Sequence, residues 1–142
     1  MTREEKIEFL SRYKEIDDEI NRLCEELSVW RARATKITPI YSDMPKGSQQ
    51  ENPIQTAIEK IIALENEINA EIDELQKART EIIAAVRTVD DKTLRQLLAL
   101  RYLNRREDYT WEQIAGKLNY TYRHTTRMHS LALDMLHVVS CP

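Results

Sequence analysis

Apolar side chains at Phe9, Tyr13, Ile16, Ile20, Leu23, Leu27, Trp30 and Ala34 recur in alternating steps of four and three. That spacing returns to one side of an α-helix, with Arg12, Asp17, Glu19 and Glu26 beside it. A helix over about 3–36 is predicted. The stretch TKITPIYSDMPKGSQQEN then breaks the pattern, because Pro39, Pro45 and Gly47 are costly inside a helix. Asn52-Pro53 reads as a restart, with Asn as the cap and Pro in the first helical position.

The second run places an apolar residue every seventh position, at Ile54, Ile61, Ile68, Leu75, Ile82 and Val89. Ile58, Ile72 and Val86 fill most alternate positions, and Glu65 and Arg79 interrupt them. Either those two are buried and fix register, or their stems lie on the surface with the charges outward. A helix over 53–89 follows. Each helix is about 50 Å long at 1.5 Å per residue, so the two suit an antiparallel hairpin, a coiled coil joined by loop 37–52. Ile62, Leu64, Ile83 and Ala85 widen the apolar stripe, which calls for a cover: the rest of the chain, or a second copy in a homodimer. The loop is longer than helix hairpins usually need. Its Ile37, Ile40, Tyr41 and Met44 either fold back onto the helix ends or dock a partner protein.

Beyond residue 89 the pattern shortens. Asp90-Asp91 precedes LRQLLALRYL, and acidic residues favour the positive end of a helix, here predicted over 91–104. Thr110 with Gln113 three places later is a capping-box arrangement, and Trp111, Ile114, Ala115 and Leu118 make one apolar side. Asn119 stands where a short turn needs a left-handed backbone, and Thr121 caps a last helix from Tyr122 to about Val138. In a helix-turn-helix the point of closest approach must be small, and Ala115 occupies it. Ile114, Leu118, Tyr120 and Met128 take the apolar positions, and Thr125 stands where a β-branched apolar residue is commoner. Tyr122, Arg123, His124, Thr126 and Arg127 then point outward. The chain therefore reads as all-α: a helical hairpin over 1–89 and a helix-turn-helix module over 90–142.

Charge sharpens that division. Residues 1–89 hold 13 Lys and Arg against 18 Asp and Glu, a net −5, while residues 90–142 hold 8 against 6, a net +2, and all three histidines. A mildly basic module on an acidic scaffold is compatible with nucleic acid but does not by itself establish it. No apolar run is long enough to cross a bilayer, and MTREEKIEF lacks the apolar core of a secretory signal. A cytoplasmic, non-membrane protein with free Cys24 and Cys141 is expected. Two glycines cannot build a phosphate-binding loop. His124 and His129 are five apart, off a common helix face, so no metal and no cofactor is expected. Cys24 reads as packing beside the first helix seam, and His137 as a dipole contact at a helix end. An enzyme is disfavoured.

The segment LRYLNRREDYTWEQIAGKLNYTYRHTTRMHSLALDML resembles region 4 of bacterial sigma factors over roughly residues 92–136, with Asp108-Tyr109-Thr110, Glu112-Gln113-Ile114-Ala115 and Leu118 carrying the likeness. The whole arrangement is similar to phage and prophage late transcriptional regulators (RinA-, ArpU- and LtrC-like), and TPIYSDMPKGS looks like a segment found in them. The resemblance implies an activator of phage late, packaging and morphogenesis genes, bound to double-stranded DNA in a bacterial host and acting with host RNA polymerase. It places DNA contacts at Tyr122, Arg123, His124, Thr126 and Arg127, with Lys117 and Arg101 as backbone contacts at most. Tyr-Arg-His and Thr-Arg stand where sigma proteins usually carry Arg-Glu-Arg and Arg-Gln, so the DNA sequence read should differ from the usual one. Two rival expectations are a small terminase-like DNA-recognition subunit, and an interaction module that binds polymerase or a sigma factor without touching DNA.

Overall fold

Helices account for every regular element among the described residues, and the chain is all-α. The computed structural model describes residues 1–42, 52–104 and 108–138, the side chains of 37–42 excepted. In order come α1 (Arg3–Ser42), α2 (Pro53–Val86), α3 (Lys92–Leu98), a π-helical turn (Ala99–Leu103), α4 (Trp111–Leu118) and α5 (Tyr122–Met135). No helix among them is long and apolar enough to cross a membrane.

Two compact units emerge: Met1–Asp17 with Glu74–Pro142, and Asp18–Asp73. The division falls inside both long helices, whereas the charge pattern placed one near residue 90. In the second unit Leu23, Leu27, Leu64 and Ile68 form a core, flanked by Trp30 and Ile61. Arg31 and Glu65 pair at 3.0 Å across it. A late α1 residue thus meets an early α2 residue, which is antiparallel pairing. In the first unit Arg12 meets Glu81 at 2.8 Å, in the same sense.

Burial corrects the expected seam of α2. The buried positions are Ala57, Leu64, Ile68, Leu75, Ala78, Ile82, Ala85, Val86 and Val89. Ile58, Ile62 and Ile72 are exposed. The alternate seam positions are therefore the alanines and Leu64, one residue earlier than the expected Ile58, Glu65, Arg79 and Val86. A methyl side chain lets two backbones approach closely, so small residues can outrank bulky ones at a helix contact. Arg79 is exposed and Glu65 half-buried, outside the seam, which settles their charges at the surface. On α1, Leu10 is fully buried although the four-three pattern passes over it, while Phe9 is only half-buried. The same end of α1 meets a third helix. Arg3 grips Asp134 of α5 through two hydrogen bonds, 2.8 and 2.6 Å, and Lys6 Nζ donates to the Leu133 carbonyl at 2.7 Å. The start of α1 thus packs on two sides. Cys24 is exposed, not packed.

Helix ends differ from expectation too. α1 continues to Ser42 and takes in Pro39 rather than stopping near 36. A proline removes one backbone N–H, and near a helix end one missing bond does not terminate the ladder. Met44, Pro45 and Gly47 lie outside the described residues, as do the side chains of Ile37, Ile40 and Tyr41, and with them the fold-back and docking readings of this loop. α2 starts at Pro53, where Asn52 Oδ1 accepts from the amides of Ile54 and Gln55 at 3.0 and 3.4 Å. It ends at Val86, short of 89. There Thr88 donates its hydroxyl to the Ala85 carbonyl at 2.6 Å and accepts from the His137 amide at 2.9 Å. Asp91 is the cap of α3 itself, accepting from Thr93 and Leu94 amides at 2.8 and 3.1 Å. The single helix expected over 91–104 is instead α3 followed by the π turn.

Candidate nucleic-acid interface

The carboxy-terminal helices owe their shape to local chemistry. Thr110 Oγ1 accepts from the Gln113 amide at 3.2 Å while Gln113 Oε1 accepts from the Thr110 amide at 2.9 Å. That reciprocal pair satisfies two donors that a helix start leaves open and fixes where α4 begins. Asn119 ends α4 at φ 61 and ψ 39, a left-handed conformation that L residues other than Asn and Asp rarely take. Its own amide and that of Tyr120 bond back to Gly116 and Ala115 carbonyls at 3.3 and 3.0 Å. Thr121 Oγ1 accepts from the His124 amide at 3.1 Å and opens α5. Two helices are thus joined by Asn119, Tyr120 and Thr121.

The faces of α5 separate cleanly. Thr125, Ala132 and Leu133 are buried, and α5 packs on both α3 and α4. Ile114 is fully buried and Ala115 nearly so, beneath that contact. Thr125 holds its hydroxyl on the Thr121 carbonyl at 2.8 Å, so a polar side chain sits in the core with its bond made. Tyr122, Arg123, His124 and Arg127 are exposed, and Thr126 is half-buried with its hydroxyl donated to the Arg123 carbonyl at 3.0 Å. Among the described residues neither Arg123 nor Arg127 enters an ion pair. Lys117 is exposed on α4 with Nζ 4.7 Å above the Tyr109 ring.

Three assignments change. Tyr120 is 44% exposed rather than part of the apolar set, and its ring lies 4.9 Å from that of His124. Met128 is half-buried. Arg101 is spent inside the protein: Nη1 donates to the Tyr109 carbonyl at 2.8 Å and the guanidinium lies 4.5 Å over the Trp111 ring.

Sequence reasoning missed the group next to Arg101. His129 lies 4.5 Å from the Trp111 ring and 5.8 Å from the Tyr102 ring, and Tyr102 Oη is 2.7 Å from its Nε2. Burial, helped by the Arg101 charge, pushes His129 down to about 4. Burial also pushes Tyr102 up to about 12, against a smaller opposing effect of Arg101. Both groups are therefore neutral around pH 7. The only cue in the sequence is a set of polar-tipped rings at inward positions. Leu131 was also missed. It is 53% exposed, on the same helix line as Arg123 and Arg127.

No group of three His, Cys, Asp or Glu side chains among the described residues is placed to hold a metal. Comparison with family models, curated proteins and solved structures gave no match.

Proposed function

We propose that this chain is a sequence-specific, double-stranded-DNA-binding transcription regulator. The observation that carries the reading is the two-sidedness of α5: Arg123, His124 and Arg127 are exposed while Thr125, Ala132 and Leu133 are sealed in the core. An α-helix fits the major groove, a guanidinium can bond guanine O6 and N7 together, and either arginine can hold a phosphate. Tyr122, His124 and Thr126 would assist, and Lys117 would meet the backbone. The likeness to late transcriptional regulators supports activation of phage late genes through contact with host RNA polymerase, with the helical scaffold joining two copies on two half-sites.

The test uses duplexes recovered from a random-sequence pool by selection on the full-length protein. At fixed salt, Arg127→Ala is expected to weaken binding to them by about 1–3 kcal/mol while the helical circular-dichroism signal stays unchanged. Unchanged affinity argues against the assignment. Exposed Leu131 beside Arg127 favours a second reading, in which the same helix side meets polymerase or a sigma factor without DNA. Under that reading no duplex is enriched.

A further inference from the structure

Four side chains from three elements meet at one point behind the exposed face of α5. The π turn supplies Arg101 and Tyr102, α4 supplies Trp111, and α5 supplies His129. A π turn holds more residues per turn than an α-helix, so the side chains beyond it are rotated from where a regular helix would send them. Tyr102 is 5% exposed at that turn and reaches His129 across 27 residues of sequence. His129 follows Arg127 by two residues, about 200° around a helix of 3.6 residues per turn. Whatever holds His129 inward therefore holds Arg127 outward.

We propose that Tyr102 and His129 are positioning residues for DNA reading, and that their contact is an acid-labile latch setting the rotation of α5. This rests on the DNA-binding proposal above. The chemistry is directional. With its ring proton on Nδ1, the neutral imidazole would offer an Nε2 lone pair to the Tyr102 hydroxyl 2.7 Å away. A second proton on the ring consumes that lone pair. The Tyr102 hydroxyl would have to turn and accept instead, and a cation would stand half-buried near the Arg101 guanidinium, with no counter-charge among the groups that face it. Arg101 and Tyr102 are the charged and titratable groups that face His129 from the π turn, and α4 presents the uncharged Trp111. The latch is accordingly closed at neutral pH and opens in acid.

Two measurements test it. In the full-length protein, NMR titration follows the three histidine rings. His129 should titrate well below the 6.5 ordinary for histidine, and amide exchange in α5 should quicken as its ring protonates. Titration of His129 near 6.5, or unchanged exchange in α5 as it protonates, overturns the latch. This arm needs no DNA, so it decides the matter even where no duplex binds and the functional reading fails. The second arm compares selected with random duplexes. Tyr102→Phe should lower that preference about five- to tenfold, the order expected for one lost hydrogen bond, with the fold retained. In the parent protein the preference should fall as the pH drops from 6.5 towards 4, and in His129→Gln, which offers a neutral acceptor and cannot titrate, it should stay flat. Equal pH profiles in parent and His129→Gln, or a full preference in Tyr102→Phe, overturn the positioning role.

Discussion

Individual positions in the last two helices carry most of their geometry in their own chemistry. Thr110, Asn119 and Thr121 were readable from sequence because each acts on atoms two to four residues away. Thr110→Ala should cost about 1 kcal/mol in chemical denaturation, the usual worth of a helix cap. Gly116 shows the opposite sign. It is exposed within α4, and a methyl added there would meet nothing within 4 Å. Gly116→Ala should therefore raise stability by about 1 kcal/mol, by removing the backbone freedom of glycine in a helix. The Tyr102–His129 contact was not readable, because nothing local marks it. It depends on a π turn and on the rotation of a helix 27 residues away. Its pH signature follows from the directions of the two shifts. His129 is held below its ordinary 6.5, so the unfolded chain takes up a proton first on acidification, and stability falls as pH drops from about 6.5 to about 4. Tyr102 is held above its ordinary 10.0, so the unfolded chain loses its proton first, and stability falls as pH rises from about 10 to about 12. Between those windows neither group contributes a slope. Thermal unfolding of the parent and His129→Gln across this range checks both limbs, and the acid contribution should vanish in the variant.

At the level of whole helices, periodicity predicted their existence and sense, and missed their phase. Both possible phases of α2 share Ile54, Ile61, Ile68, Leu75, Ile82 and Val89. What separates them is Ala57, Leu64, Ala78 and Ala85 against Ile58, Glu65, Arg79 and Val86; ranking by hydrophobic size selects wrongly at Ala57 and Ile58, and it also puts exposed Ile72 in the seam. The missing information was distance between helix axes, which small residues set and no single-helix pattern reveals. Substitution separates the phases. Ala78 is fully buried, so Ala78→Leu should destabilise by about 1–3 kcal/mol through overpacking. Ile72 is 40% exposed, so Ile72→Ala should cost far less than the 2–5 kcal/mol typical of a core isoleucine. Equal losses in urea unfolding would restore the other phase. Leu10 teaches the same lesson on α1. Its burial comes with the contacts that Arg3 and Lys6 make to α5, and a pattern read along one helix does not see a second neighbour.

Across the molecule, the net charge of −3 conceals a division of labour. Under the DNA-binding proposal the acidic long helices would give DNA little to hold, and recognition would fall to exposed cations of the carboxy-terminal helices. Among the described residues Arg123 and Arg127 lie exposed and out of ion pairs, while Arg3, Lys14 and Arg101 are engaged with Asp134, Asp108 and Tyr109. The expectation of outward Arg123, His124 and Arg127 needed only helical phase and a buried opposite side, both visible in nineteen residues of sequence. Which DNA sequence they would read under that proposal was never visible, because base choice depends on docking angle as well as residue type. Selection from a random-sequence duplex pool, run with the full-length protein beside an Arg123→Ala, Arg127→Ala double variant, puts the assignment to its sharpest trial. One short motif enriched by the parent and lost by the folded double variant is the expected result. No enrichment by the parent, or the same motif from both proteins, would contradict it.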